Sequence, residues 1–142
     1  MSKTSQKTIK EKIDFRGVGL HNGVEVNLSI KPSKPDTGII FKRLDIKDEN
    51  IIHANFQNVV EPILCTKIRN KKGVSISTVE HLMAAFYGEG IDNAIVEVDA
   101  PEIPIMDGSA VDFVDAIRSV GVEEQGVPRK FIKVLKKIEV KD

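Results

Sequence analysis

Val24, Val26, Leu28 and Ile30 alternate strictly with Glu25, Asn27, Ser29 and Lys31. Successive side chains of a strand point to opposite faces, so this run predicts a strand with one face buried and one face wet. Such alternation belongs to an antiparallel sheet with one open face. Just upstream, Asn22-Gly23 is the dipeptide that a two-residue type I′ hairpin prefers, because both central residues need positive φ. Residues 7–15 are therefore expected to be the partner strand. Further strands are expected over residues 38–44, after the Pro32/Pro35 turn, and over residues 63–69, before Asn70-Lys71-Lys72-Gly73.

Downstream the period changes. Val79, Leu82, Met83 and Phe86 fall at i, i+3, i+4 and i+7, which predicts a helix that Gly88 or Gly90 ends. Ser77-Thr78-Val79-Glu80 has the spacing of a capping box at its start. Residues 93–99 read as a strand again, and the proline-rich residues 101–108 as irregular structure. Ala110, Phe113, Val114 and Ile117 repeat the helical spacing, with Ser109 (and Asp112 three residues on) as the expected N-cap and Gly121 as the stop. The expected class is α+β: a mostly antiparallel sheet with two amphipathic helices packed on one face. Ile132, Val134, Ile138 and Val140 suggest a last strand near the end of the chain.

At 142 residues there is room for one ordinary domain with its own core. The 21 basic and 21 acidic side chains cancel, so nothing marks a nucleic-acid partner, which needs a clustered cationic excess. No stretch reaches the roughly 18 apolar residues of a membrane-spanning helix, so an integral membrane protein is not expected. A single cysteine, Cys65, rules out an internal disulfide and suits a reducing compartment, so the chain reads as cytoplasmic.

The chemistry concentrates in Glu80-His81. A carboxylate beside an imidazole can be a general base next to a zinc ligand, since metal-assisted hydrolysis needs a Lewis acid and a proton acceptor. Taken locally, Glu80 also fits the N3 position of the capping box, and His81 a polar helix residue. A catalytic zinc needs about three protein ligands and an open position. His21 beside the expected hairpin, His53 and Cys65 do not complete one by spacing, and Cys65 reads as a small core residue. Asp107-Gly108-Ser109 reads as a tight turn that leads into the second helix.

Several stretches together resemble the UDP-3-O-acyl-N-acetylglucosamine deacetylases of lipid A biosynthesis. They are Gly17-Val18-Gly19-Leu20-His21-Asn22-Gly23, Leu64-Cys65-Thr66, Ser75 through Leu82, Gly90-Ile91-Asp92-Asn93 and Pro101 through Ala110. The resemblance implies a zinc amidase acting on a UDP-sugar lipid, with Glu80 as general base and His81 as one zinc ligand. It implies that Leu64, Cys65 and Thr66 line the substrate approach, and that His21 and Asp107 lie near the site. It also implies a two-domain sandwich whose second domain carries the remaining zinc ligands and a further catalytic histidine.

On that reading, residues 1–127 are the N-terminal domain, and residues 128–142 are a linker and the first strand of the second. The chain alone is then expected to be inactive. Its partner is its own C-terminal domain, or a second copy that associates through the helical layer. The alternative is a non-catalytic, one-domain ligand-binding or interaction module that retains the motif.

Overall fold

The computed structural model describes residues 4–61 and 63–141. The strands are β1 (Ser5–Ile9), β2 (Ile13–Val18), β3 (Glu25–Pro32), β4 (Ile39–Arg43), β5 (Ile51–His53), β6 (Val59–Val60), β7 (Lys67–Arg69), β8 (Ser75–Ser77), β9 (Ala94–Val98) and β10 (Val122–Pro128). The helices are α1 (Glu80–Glu89) and α2 (Val111–Val120). The main sheet has the order β2-β3-β9-β4-β5 and is antiparallel except where β4 runs beside β9. A two-stranded sheet joins β1 to β10, and a three-stranded one carries β6, β7 and β8. The α+β class expected from the periodicity is the class observed.

The alternation does what it predicts from Val26 on, whereas Val24 lies ahead of β3 and is exposed. Val26, Leu28 and Ile30 are buried, and Leu28 and Ile30 sit opposite Val98 and Val96 of β9. The other face carries ion pairs, such as Lys31 to Glu97. Leu82 and Phe86 of α1 and Phe113 and Ile117 of α2 complete one core with these strands. The Phe15 and Phe113 rings meet edge to face, with centroids 5.0 Å apart. Each such fully buried side chain contributes about 1.5–3 kcal/mol of transfer free energy. Gly90 ends α1 in the left-handed conformation, φ 69°, a backbone that costs glycine little.

Several expectations need correction. The strand that pairs with β3 is β2, whereas β1 leaves to pair with β10. The turn between β2 and β3 is a loop over residues 19–24 in which only Gly23 has positive φ, so Asn22-Gly23 is not a type I′ turn. The strand expected over residues 63–69 shrinks to Lys67–Arg69. Leu64 takes φ 57°, a left-handed conformation foreign to a strand, and is 89% exposed. Cys65 is half-buried rather than a core residue.

The capping box does not form either. Val79 is the N-cap and makes no side-chain cap bond, because Ser77 belongs to β8 and Thr78 sits at φ 58°. Ala110 caps α2, with Ser109 one residue earlier. The described residues of 129–141 form no strand, and Ile132, Val134, Ile138 and Val140 are exposed. Of the helical residues expected to seek a second copy, Val79, Leu82, Phe86, Phe113 and Ile117 are buried in the chain's own core, and Met83, Ala110 and Val114 are partly buried against it.

Candidate functional site

Four segments converge at the start of α1. Ser77, the last residue of β8, pairs with the chain at Pro101–Ile103: its N–H donates to Pro101 O at 3.0 Å, and Ile103 N–H donates back to Ser77 O at 3.1 Å. That pairing lays Glu102 beside Thr78. The loop over residues 19–24 comes from the other side, joined by an isolated bridge between Gly19 and Pro104. The fourth segment is the bend that ends at Thr66.

Glu102 is the centre of the arrangement, only 1% exposed. Its carboxylate accepts from the Thr78 hydroxyl at 2.7 Å, the His21 Nδ1 at 2.8 Å, the His21 N–H at 3.1 Å and the Asn22 N–H at 3.1 Å. Burial pushes this carboxyl up, but the hydrogen bonds from Thr78, His21 and the two backbone N–H groups outweigh it and hold it below the ordinary glutamate range. Gly19 makes room for the wrap. A Cβ there would lie 2.6 Å from Glu102 Oε2 and 2.2 Å from Asn22 Oδ1.

Glu80 opens α1 and is held from the opposite side. Its Oε2 accepts from the Thr66 N–H at 3.0 Å, and the Val79 N–H reaches Thr66 O at 3.4 Å. Glu80 Oε1 has no hydrogen-bond partner among the described residues. His81 follows, half-buried, also with both ring nitrogens without a partner among the described residues. The pair thus presents a carboxylate oxygen and two imidazole nitrogens that the surrounding protein does not consume.

A cleft of about 410 Å³ is lined by His21, Glu61, Cys65, Lys67, Ser77 and Glu102 among others, while Glu80 and His81 are not part of its lining. Of the residues named from sequence, the structure brings His21 and Cys65 to this cleft, and Thr66 into contact with Glu80. Leu64 projects into solvent at its rim. Asp107 is elsewhere: it accepts from the N–H and hydroxyl of Ser109, both at 2.8 Å, beside a separate groove with Arg16 and Asp112. Those bonds from Ser109 hold the Asp107 carboxyl below its usual range. His53 lies on β5, in another groove with Asn70 and Lys72.

A larger cavity, about 690 Å³, lies at the far end of α1 and is lined by Phe86, Tyr87, Asp92 and Arg129 among others. Asp92 there is engaged by Arg129 at 2.8 Å and by the Lys7 N–H at 2.8 Å, so it is not a free base. The chemistry favours the smaller cleft.

Among the described residues, no three His, Cys, Asp or Glu side chains gather closely enough to hold a metal ion. A catalytic zinc takes about three protein ligands. This donor set therefore fits one ligand of such a site, His81, and not the whole of it. Sequence reasoning missed Glu102, Thr78 and Gly19. The one signal available was an acidic residue set between Pro101 and Ile103 in an otherwise apolar stretch.

Residues 6–142 match the family model described as UDP-3-O-acyl N-acetylglycosamine deacetylase. Among curated relatives, the UDP-3-O-acyl-N-acetylglucosamine deacetylase of Pseudoalteromonas atlantica is 50% identical over 137 residues, which are 96% of this chain and 45% of the relative. Those of Shewanella violacea and Shewanella piezotolerans are 51% and 53% identical over the same shares. The chain thus spans about half the length of the curated relatives it matches.

Proposed function

This chain belongs to the UDP-3-O-acyl N-acetylglycosamine deacetylase family, and on that premise we propose that it is the N-terminal half of a zinc-dependent deacetylase. The substrate of the whole enzyme would be UDP-3-O-acyl-N-acetylglucosamine, hydrolysed at its acetamide in lipid A biosynthesis, in the cytoplasm. The observation that carries the reading is Glu80-His81 on the first turn of α1, with Glu80 held by the Thr66 N–H, in a chain matched over residues 6–142.

His81 supplies one zinc ligand in this reading, and the others come from the part of the relatives that this chain does not match. Zinc contributes Lewis acidity towards the acetamide carbonyl and makes water easier to deprotonate. Glu80 is the proton acceptor: the Thr66 N–H fixes one oxygen and leaves the other to receive the proton. Thr66 thereby ties the base to the bend carrying Leu64 and Cys65, which line the substrate approach. His21 stands across the cleft, and Asp107 shapes the turn into α2. Residues 1–127 are the N-terminal domain, and residues 128–142 are a linker and the first strand of the second. No helix among the described residues is long and apolar enough to cross a membrane.

The reading is tested on the purified 142-residue chain by measuring zinc content together with amide turnover. Substoichiometric zinc and no turnover are expected, because one ligand does not hold a catalytic zinc. Stoichiometric zinc with deacetylation would overturn the assignment of this chain as half a site. Reading the gene past Asp142 gives a second check, with a histidine-bearing helix expected in the continuation and a stop codon counting against it.

A further inference from the structure

The hydrogen bonds around Glu102 determine more than its own position. An ionised carboxylate only accepts hydrogen bonds. The His21 Nδ1, 2.8 Å from Glu102 Oε1, must therefore carry the proton of that bond. A neutral imidazole has one proton, so Nε2 is left as a bare lone pair. The His21 side chain is 39% exposed and lines the cleft, and Nε2 has no hydrogen-bond partner among the described residues. A histidine whose tautomer is set by a buried carboxylate is the usual way of presenting the opposite nitrogen to a substrate or a metal.

The same carboxylate restrains the approach to α1. Thr78 is a β-branched residue at φ 58°, a conformation that costs on the order of 1–3 kcal/mol unless its surroundings impose it. Its hydroxyl bond to Glu102 is one such restraint, and Glu80 and His81 follow within three residues.

We propose that Glu102 is a positioning residue of this site: its buried carboxylate holds the His21 ring, whenever that ring is neutral, as the Nδ1–H tautomer, presenting Nε2 to the cleft as a hydrogen-bond acceptor, while it anchors Thr78 ahead of Glu80-His81. The ligand this suits is one with a hydroxyl or amide N–H to donate. The proposal rests on the deacetylase reading for the identity of the cleft, but the tautomer does not depend on that reading.

The test uses the 142-residue chain with ¹⁵N-labelled histidine, read by long-range proton–nitrogen correlation at a pH where the rings are neutral. The chain has only three histidines, and His21→Gln assigns the signals. Wild-type His21 is expected to show a protonated Nδ1 and an unprotonated Nε2, the reverse of the tautomer that free imidazole side chains favour. Glu102→Gln places an amide NH₂ among hydrogen-bond donors, and His21 is expected to revert to mainly Nε2–H in that variant. An Nε2–H tautomer in the wild type overturns the proposal, and so does an unchanged Nδ1–H pattern in Glu102→Gln. Should Glu102→Gln fail to fold, Thr78→Val keeps the His21–Glu102 bond and must retain the Nδ1–H pattern. Zinc content and turnover are independent of this readout, so the deacetylase reading and the positioning role can fail separately.

Discussion

The two helices of this chain start in different ways. At the start of α2, Asp107 accepts from Ser109 and Ser109 accepts from Val111, each bond reaching two residues along the chain. At the start of α1, Thr78 reaches Glu102, 24 residues on, and Glu80 reaches back 14 residues to Thr66. The start of α2 is a local turn in water. The start of α1 is a tertiary junction, with a buried charge and a strained backbone, and it leads into Glu80 and His81. Strain held by long-range bonds is a common property of functional sites, since local sequence would not choose it.

Substitutions can break this contrast. The largest effect is expected from Glu102→Ala, which strands the Thr78 hydroxyl, the His21 ring and two backbone N–H groups without an acceptor. Removing one partner of a buried charged network costs about 3–5 kcal/mol, read by chemical denaturation. Glu102 also sets a pH dependence. Its carboxyl is lowered in the folded chain from the ordinary value of 4.5, so its contribution is complete above that value and is lost as pH falls through the lower, folded pKa. Wild-type stability should therefore fall in acid more steeply than that of Glu102→Gln, and parallel acid titrations of the two would refute the point.

Thr78→Val keeps the branched Cβ and the backbone strain but removes the hydroxyl. The expected loss is about 1.5–3 kcal/mol, the range for hydrogen bonds to charged groups, measured as a shift in denaturation midpoint. Gly19→Ala inserts a Cβ against Asn22 and Glu102, and overpacking of this kind costs roughly 1–3 kcal/mol. Its cost should shrink in a Glu102→Ala background, which a double-mutant cycle reads directly. The smallest effect belongs to α2. Ser109→Ala removes an acceptor for the Val111 N–H and should cost about 0.5–1 kcal/mol. A Ser109→Ala loss as large as that of Thr78→Val would erase the distinction between the two helix starts.

The parts of the fold that were legible in sequence share one property: their signal repeats along the chain. Val26, Leu28 and Ile30 are buried, as period two requires, and Leu82, Phe86, Phe113 and Ile117 as the helical spacing requires. The stops at Gly90 and Gly121 follow from glycine backbone freedom. What failed were assignments that required a polar group to choose its nearest partner. Ser77 had a local partner available as a helix cap, but its hydroxyl and N–H both go to Pro101. Asn22 could have formed a tight hairpin, but its N–H goes to Glu102. Cys65 was read as core from its neighbours, yet the backbone at Leu64 turns that segment outward. For Ser77 and Asn22 a long-range bond displaced a local one.

Sequence alone determined that Glu80 and His81 sit together on the first turn of a helix, because that placement depends only on local period. It determined equally that one face of the main sheet is buried. Only the tertiary structure decided that the Glu80 carboxylate is held by Thr66, and that His21 and Thr78 share the buried Glu102, the His21 bond spanning 81 residues. Hydrogen bonds of that reach leave no periodic trace in a chain, since their partners are brought together by packing of the core and not by spacing along the backbone.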